Sequence, residues 1–276
     1  MKLRVLLLTL LISLSLQSQE YGDISFNKAI NMSGRQRMLG QKMSKAYVYL
    51  IENPNNPTAK KELLEAEKLF EEQHNILVKN SPTAIITKEL EEVEHIWKKF
   101  KLIFDNLPNK KSARKIIHKN SELLKKSDNV VKSIVDESHK YEGKVGGEEL
   151  SLKATIDISG RQRMLSQRIA LYYFANRNDL RDKKTIDVLK ESYLLFDNTI
   201  SRLSVSRYNR PATKDLIAEA MNEWNELKRD KLKFIRHRIQ VKNVYEKTNS
   251  LTKYFDKITH LYEQVKTIET YESLLE

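Results

Sequence analysis

Ser159-Gly160-Arg161-Gln162-Arg163-Met164-Leu165 repeats residue for residue a run already present at Ser33-Gly34-Arg35-Gln36-Arg37-Met38-Leu39, and each copy is preceded by a similar triplet, Ile30-Asn31-Met32 and Ile156-Asp157-Ile158. Placed on a helix at about 100° per residue, each copy splits into two faces. Met32, Leu39, Met43, Ala46 and Leu50 form an ordinary apolar stripe in the first. Ile30, Ser33, Gly34, Arg37, Gln41, Ser44 and Val48 form a second face of small residues around one arginine and one amide. The second copy preserves both: Ile158, Leu165, Ile169 and Tyr172 on one side, Ile156, Ser159, Gly160, Arg163, Gln167, Ala170 and Phe174 on the other. A face of that kind suits close helix contact around an anion.

The repeat extends beyond this helix. Phe70 and Phe196 keep the same spacing as Arg37 and Arg163, and Trp97 and Trp224 keep it within one residue. With 7 glycines, 5 prolines and abundant Glu, Lys and Leu in 276 residues, the composition is that of an almost wholly helical protein. Punctuation divides the first unit into four helices. The first runs from about Ile24 to Glu52 and stops at Asn53-Pro54-Asn55-Asn56-Pro57, with Thr58 placed to cap the second. The second carries Leu63, Ala66, Phe70, His74 and Leu77 on one side. The third carries Ile86, Leu90, Val93, Trp97 and Phe100. The fourth, from about Ser112 to Tyr141, supplies Ile116, Leu123, Val130 and Ile134. Short turns between helices of this length predict an antiparallel bundle.

Gly143-Lys144-Val145-Gly146-Gly147 is the one glycine cluster and falls where the first unit hands over to the second. The expected fold is therefore all-α, two tandem antiparallel four-helix bundles over 22–142 and 148–276. The turn between the last two helices, near Lys231 to Arg236, is placed by analogy with the first unit. The final helix follows from Val244, Leu251, Phe255, Ile258, Leu261 and Val265.

Residues 1–18 read as a secretory signal peptide: Lys2 and Arg4, an apolar run from Val5 to Leu16, and the small residue Ser18 at a cleavage position. That run is short for a membrane span, so the mature chain is expected in the periplasm or outside the cell. There is no cysteine, which excludes disulfides, thiol catalysis and a lipid-modified cysteine. The formal charge of +12 is read first as solvated lysine-rich helix faces, with attraction of small anions or an acidic envelope surface as the alternative. An exported protein has no call for nucleic acid.

The block Ser-Gly-Arg-Gln-Arg-Met-Leu, followed by Gly40-Gln41-Lys42 and Ser166-Gln167-Arg168, resembles the N-terminal domain of type IV pili methyl-accepting chemotaxis transducers, the PilJ-like domain. It is also similar to the periplasmic sensor domain of nitrate/nitrite sensor histidine kinases. The latter resemblance implies a four-helix bundle that dimerises through its first helix, with one nitrate on the dimer axis between two arginines. The box arginine falls on Arg37 and Arg163, the box glycine on Gly34 and Gly160, and a further basic residue on Lys42 and Arg168. Arg35-Gln36 and Arg161-Gln162 stand where the nitrate sensors carry less polar residues, so the transducer branch is the closer one. Sensors of both kinds continue into a membrane helix and a signalling module. This chain shows a second bundle instead and is expected to work through a membrane-bound signalling protein.

The functional expectation is a sensor-type protein binding a small oxyanion through Gly34, Arg37, Gln41, Gly160, Arg163 and Gln167, without catalysis, metal or cofactor. Two guanidinium groups ~5 Å apart at an effective dielectric near ~20 repel by about 3 kcal/mol, and an anion between them replaces that cost with charge-assisted hydrogen bonds. The competing reading of the arginines is an interhelical salt bridge to a neighbouring glutamate, and of the whole chain an envelope scaffold without a small ligand. Arg35 and Arg161 project away from the anion face and read as solvated. Glu71-x-x-His74 and Glu92-x-x-His95 have the spacing of carboxylate-bridged metal sites, but Glu92 and His95 fall opposite Leu90, Val93 and Trp97, and the second unit has Ile200 and Asn222 at the histidine-equivalent places. His74 reads as a core-edge histidine. Tyr245, Tyr262 and Tyr271 are expected on the surface of the last helix. Whether the two units pack side by side as a fused dimer or stack end to end stays open.

Overall fold

Each helix start of the first unit is signposted by a capping residue. In the computed structural model, which describes residues 20–140, 152–229, 233–234 and 236–275, eight helices follow a two-strand hairpin: β1 (Glu20–Tyr21), β2 (Ile24–Ser25), α1 (Phe26–Glu52), α2 (Pro57–Lys79), α3 (Ala84–Phe104), α4 (Lys110–His139), α5 (Leu152–Arg177), α6 (Lys183–Ser204), α7 (Pro211–Lys228) and α8 (Val241–Leu275). The oxygen side chains of Ser25, Asn56, Thr83 and Asn109 each accept a backbone N–H in the first turn of α1, α2, α3 and α4. Asp182 and Thr185 cap α6 reciprocally. Asn56 takes the place expected of Thr58 because Pro57 occupies the first helical position, where its missing N–H costs nothing. The expected signal peptide and the glycine cluster lie outside the described residues.

Helix α1 starts two residues later than expected, since Ile24 and Ser25 pair with Tyr21 and Glu20 across a Gly22-Asp23 turn. The hairpin is pinned to the end of α2: the Tyr21 hydroxyl donates to the Leu77 carbonyl at 3.0 Å, and Asp23 N–H donates to Asn80 Oδ1 at 2.7 Å. Gly22 has φ +60°, and a Cβ there would sit 2.8 Å from the Asn80 carbonyl oxygen. Gly22→Ala is therefore expected to cost about 1–3 kcal/mol, seen as a lower Tm. An unchanged Tm would mean that the hairpin is not docked in solution.

The apolar stripes close as the periodicity predicts. Leu63, Ala66, Phe70 and Leu77 of α2, Leu90, Trp97 and Phe100 of α3, and Ile116, Leu123, Val130 and Ile134 of α4 are all buried, as are Phe196, Trp224 and Phe255 of the second unit. Packing follows the repeat: α1 against α2 and α4 with α3 on α4, then α5 against α6 and α8 with α7 on α8. The Trp97 indole N–H donates to Glu71, which also takes Lys101 Nζ at 2.7 Å. Trp224 and Lys228 meet Asp197 in the same way, at 2.7 and 2.6 Å. So the repeat holds at the level of individual polar contacts.

The largest helix contact joins the two units, α1 against α5. These helices run parallel and side by side. Asn31 meets Arg163 and Arg37 meets Asp157 in their N-terminal halves. Near their C-terminal ends Tyr49 packs on Phe174 with ring centroids 5.4 Å apart, and Glu52 lies 3.8 Å from Arg177. One buried hydrophobic cluster runs through both units. Each unit's first helix thus has two buried sides, its own bundle and the other copy, which is why both faces of the repeated block are built of apolar or small residues.

Candidate functional site

Helices α1 and α5 can approach closely because Gly34 and Gly160 present no side chain where they face each other, and the space is filled by guanidinium groups. A Cβ on Gly34 would lie 3.4 Å from Arg37 Nη2 and 3.6 Å from Arg163 Nη2, and one on Gly160 would lie 3.0 Å from Arg163 Nη2. Both arginines are almost fully buried, at 1 % and 0 % exposure.

Their partners follow the exchange of units. Arg37 Nη1 donates to Asp128 of α4 at 2.7 Å, and Nη2 donates to Asp157 of α5. Arg163 Nη1 donates to Asp256 of α8 at 2.8 Å, and Nη2 donates to the Asn31 carbonyl of α1 at 3.1 Å. Arg35 pairs with Asp256, while Arg161 lies 3.3 Å from Asp157 and 3.9 Å from Asp128. Between the two buried arginines the two-fold pattern breaks at residue 31 against residue 157. Arg37 finds a carboxylate where Arg163 finds only a backbone carbonyl. The Asn31 amide donates to Glu263, and its Oδ1 is buried without a partner. Both arginine Nε atoms are likewise buried without a partner.

Electrostatics register the difference. Burial lowers the pKa of either guanidinium, because the charged form loses water. At Arg37, Asp157 and Asp128 outweigh burial and hold the pKa above its ordinary value. At Arg163 burial prevails over Asp256, with Arg35 and Arg37 adding repulsion, and the pKa falls to about 10. Burial also works against ionisation of Asp128 and Asp256, but the adjacent arginines win and keep both below the usual carboxylate range.

Of the expected site residues, Gly34, Arg37, Gly160 and Arg163 come together. Gln41 and Gln167 do not join them. Gln41 exchanges two 2.9 Å amide bonds with Asn120 of α4. The Gln167 amide donates to Thr248, Asn249 and Thr252 of α8. Arg35 and Arg161, expected in water, are part of the ion-pair cluster. The acids of this face come from elsewhere in the chain: Asp128 and Asp256 from the fourth helices and Asp157 from the opposite copy. A signal was present: Asp128 and Asp256 occupy matching places in the repeat.

The metal-type spacings do not converge. Glu71 is held by Trp97 and Lys101, Glu92 by Lys126, and His95 lies 2.8 Å from Lys99 Nζ. His74 is buried against Phe70, and burial lowers its pKa. Tyr245 and Tyr262, expected at the surface, are buried instead, with hydroxyls donating to Glu62 and Asn209. Tyr245 faces the other unit, a surface that a one-bundle reading treats as solvent. Among the described residues no helix is long and apolar enough to cross a membrane.

A family model described as type IV pili methyl-accepting chemotaxis transducer N-term matches residues 25–121 and again residues 148–238. No curated protein and no solved structure matches the chain.

Proposed function

The chain belongs to the family of N-terminal domains of type IV pili methyl-accepting chemotaxis transducers, and from that premise we propose that it is an exported, non-catalytic sensor module whose two copies form a dimer within one chain and hold a small oxyanion of the nitrate or nitrite kind at Arg37 and Arg163. The signal peptide at 1–18 carries the export. The observation behind the ligand is the convergence of two buried guanidinium groups beside Gly34. Their Nε atoms, buried without a partner, and the burial of Arg163 against a single carboxylate add support, since a trigonal anion is a bidentate acceptor for such a fork. Gln41 and Gln167 then act at one remove, by tying α1 and α5 to α4 and α8. The bound state would be passed on by a membrane-bound signalling protein, through the α1/α5 contact.

A specific observation favours the rival reading of an interaction scaffold: Asp157 already places a carboxylate on Arg37. Thermal unfolding of the wild type, Arg37→Ala and Arg163→Ala in nitrate, nitrite or another oxyanion against chloride separates the two. A ligand at about 100 times its Kd adds roughly 2.7 kcal/mol, a few degrees in Tm. One shared site predicts that either substitution alone abolishes the shift. If no oxyanion shifts the wild type, the ligand reading falls and the scaffold stands.

A further inference from the structure

The second unit contains a cavity of about 380 Å³ between the end of α5, helix α6 and the segment before α8. That size is within the range of small-molecule sites, roughly 300–1,000 Å³. Its walls are apolar, formed by Ile186, Leu189, Tyr193, Leu194 and Phe234, and its mouth is cationic, with Arg181 and Lys190. Neither cation has an ion pair or a side-chain hydrogen bond among the described residues. His237 also lines the cavity. Its backbone is held in the left-handed region at φ +54°, a conformation that costs energy for a histidine, and its Nε2 is buried without a partner.

The repeat supplies an internal control. At the places of Ile186, Tyr193 and Leu194, the first unit has Lys60, Glu67 and Lys68, and Glu67 is 3.0 Å from Lys101 Nζ. The fold therefore has no need of an apolar hollow on this face of the second helix. Leu194 is 57 % exposed at the mouth of the cavity, where an apolar body lodged in the cavity would cover it.

We propose that this cavity binds a small amphiphilic carboxylate, its apolar body against Leu189, Tyr193, Leu194 and Phe234 and its head group between Arg181, Lys190 and the His237 imidazole. The site is separate from the Arg37/Arg163 junction and does not depend on it.

Isothermal titration of the full mature chain with octanoate and with octan-1-ol tests this, since the two share a body and differ in charge. Octanoate is expected to bind at least about tenfold tighter, the least that one charge-assisted contact supplies. Leu194→Glu, at an exposed position, should abolish octanoate binding while leaving Tm unchanged. Arg181→Ala with Lys190→Ala should bring octanoate down to the level of octanol. Equal binding of the two probes by the wild type, binding of neither, or full octanoate affinity in Leu194→Glu would each overturn the assignment.

Discussion

Glu62→Leu is expected to destabilise the protein by about 3–5 kcal/mol, the usual cost of leaving one member of a buried ion pair alone. Lys45 of α1 is fully buried, and its ammonium has three neighbours: Glu62 of α2, Asn249 Oδ1 of α8 at 2.6 Å, and the face of the Tyr245 ring at 4.1 Å. The other oxygen of Glu62 accepts from the Tyr245 hydroxyl and from Asn249 Nδ2, both at 2.7 Å. The pair therefore ties the first unit to the last helix of the second. Leucine at 62 strands the ammonium and removes the acceptor for two donors. The double variant Lys45→Met, Glu62→Leu should recover most of the loss, because no charge then remains to be desolvated. Urea midpoints of the four species measure the coupling, and a loss below ~1 kcal/mol in Glu62→Leu would show that the pair is solvated.

The same pair sets a pH signature. Burial draws Lys45 down from its ordinary 10.5 to about 8, against the attraction of Glu62. Between those values the unfolded chain binds more protons than the folded one, so this group makes stability rise with pH from about 8 to about 10.5. Glu62 works at the other end. Burial opposes its ionisation, but Lys45 and Lys42 hold its pKa below the ordinary value, so its contribution is complete above the ordinary carboxylate range and is lost as pH falls through the lower folded value. Lys45→Met should flatten the alkaline rise.

How much of this was legible follows from which contacts are local. Stripes such as Leu90, Val93, Trp97 and Phe100 are set by the helical period and need no knowledge of the partner, so they were readable and are buried. The caps at Asn56, Thr83 and Asn109 act within one turn. The identity of the repeated block marked Gly34, Arg37, Gly160 and Arg163, which meet at the α1/α5 contact. What the period could not reveal was which acids reach that contact. Asp128 is 91 residues from Arg37 and Asp157 is 120; the first becomes a neighbour when α4 closes the first bundle on α1, and the second only when α1 lies beside α5. Tyr245 is buried for the same reason, on Glu62 and Tyr49 of the first unit, whereas Tyr262 is covered within its own unit, its hydroxyl donating to Asn209. The periodicity of α8 shows a wide apolar arc, but the side that meets the first unit cannot be told from a wet one until the second contact surface is known.

Arg37→Met and Arg163→Met should have unequal effects, although the residues are related by the repeat. Removing Arg37 takes the buried cation from Asp128 and Asp157, whose side chains are only 27 % and 18 % exposed, and leaves them the more exposed Lys132 at 2.9 Å from Asp128 and Arg161 at 3.3 Å from Asp157. The expected loss is about 3–5 kcal/mol. Removing Arg163 releases a buried cation that meets a single carboxylate, and Asp256 keeps Arg35 and is 43 % exposed. That variant is expected within ~1 kcal/mol of the wild type in chloride, or above it, since an apolar side chain of similar length replaces a charge whose burial is poorly repaid. An oxyanion would reverse the ranking of Arg163. If an anion neutralises it, the wild type gains roughly 2.7 kcal/mol at about 100 times Kd, Arg163→Met gains nothing, and the gap between them widens by that amount. Urea unfolding of both variants in chloride and in nitrate reads both effects. Equal losses in chloride would show that the Asn31/Asp157 difference does not break the symmetry. A gap at Arg163 that stays constant between the two salts would remove the anion from the site and leave the four arginines and three aspartates as the clasp that holds one copy against the other.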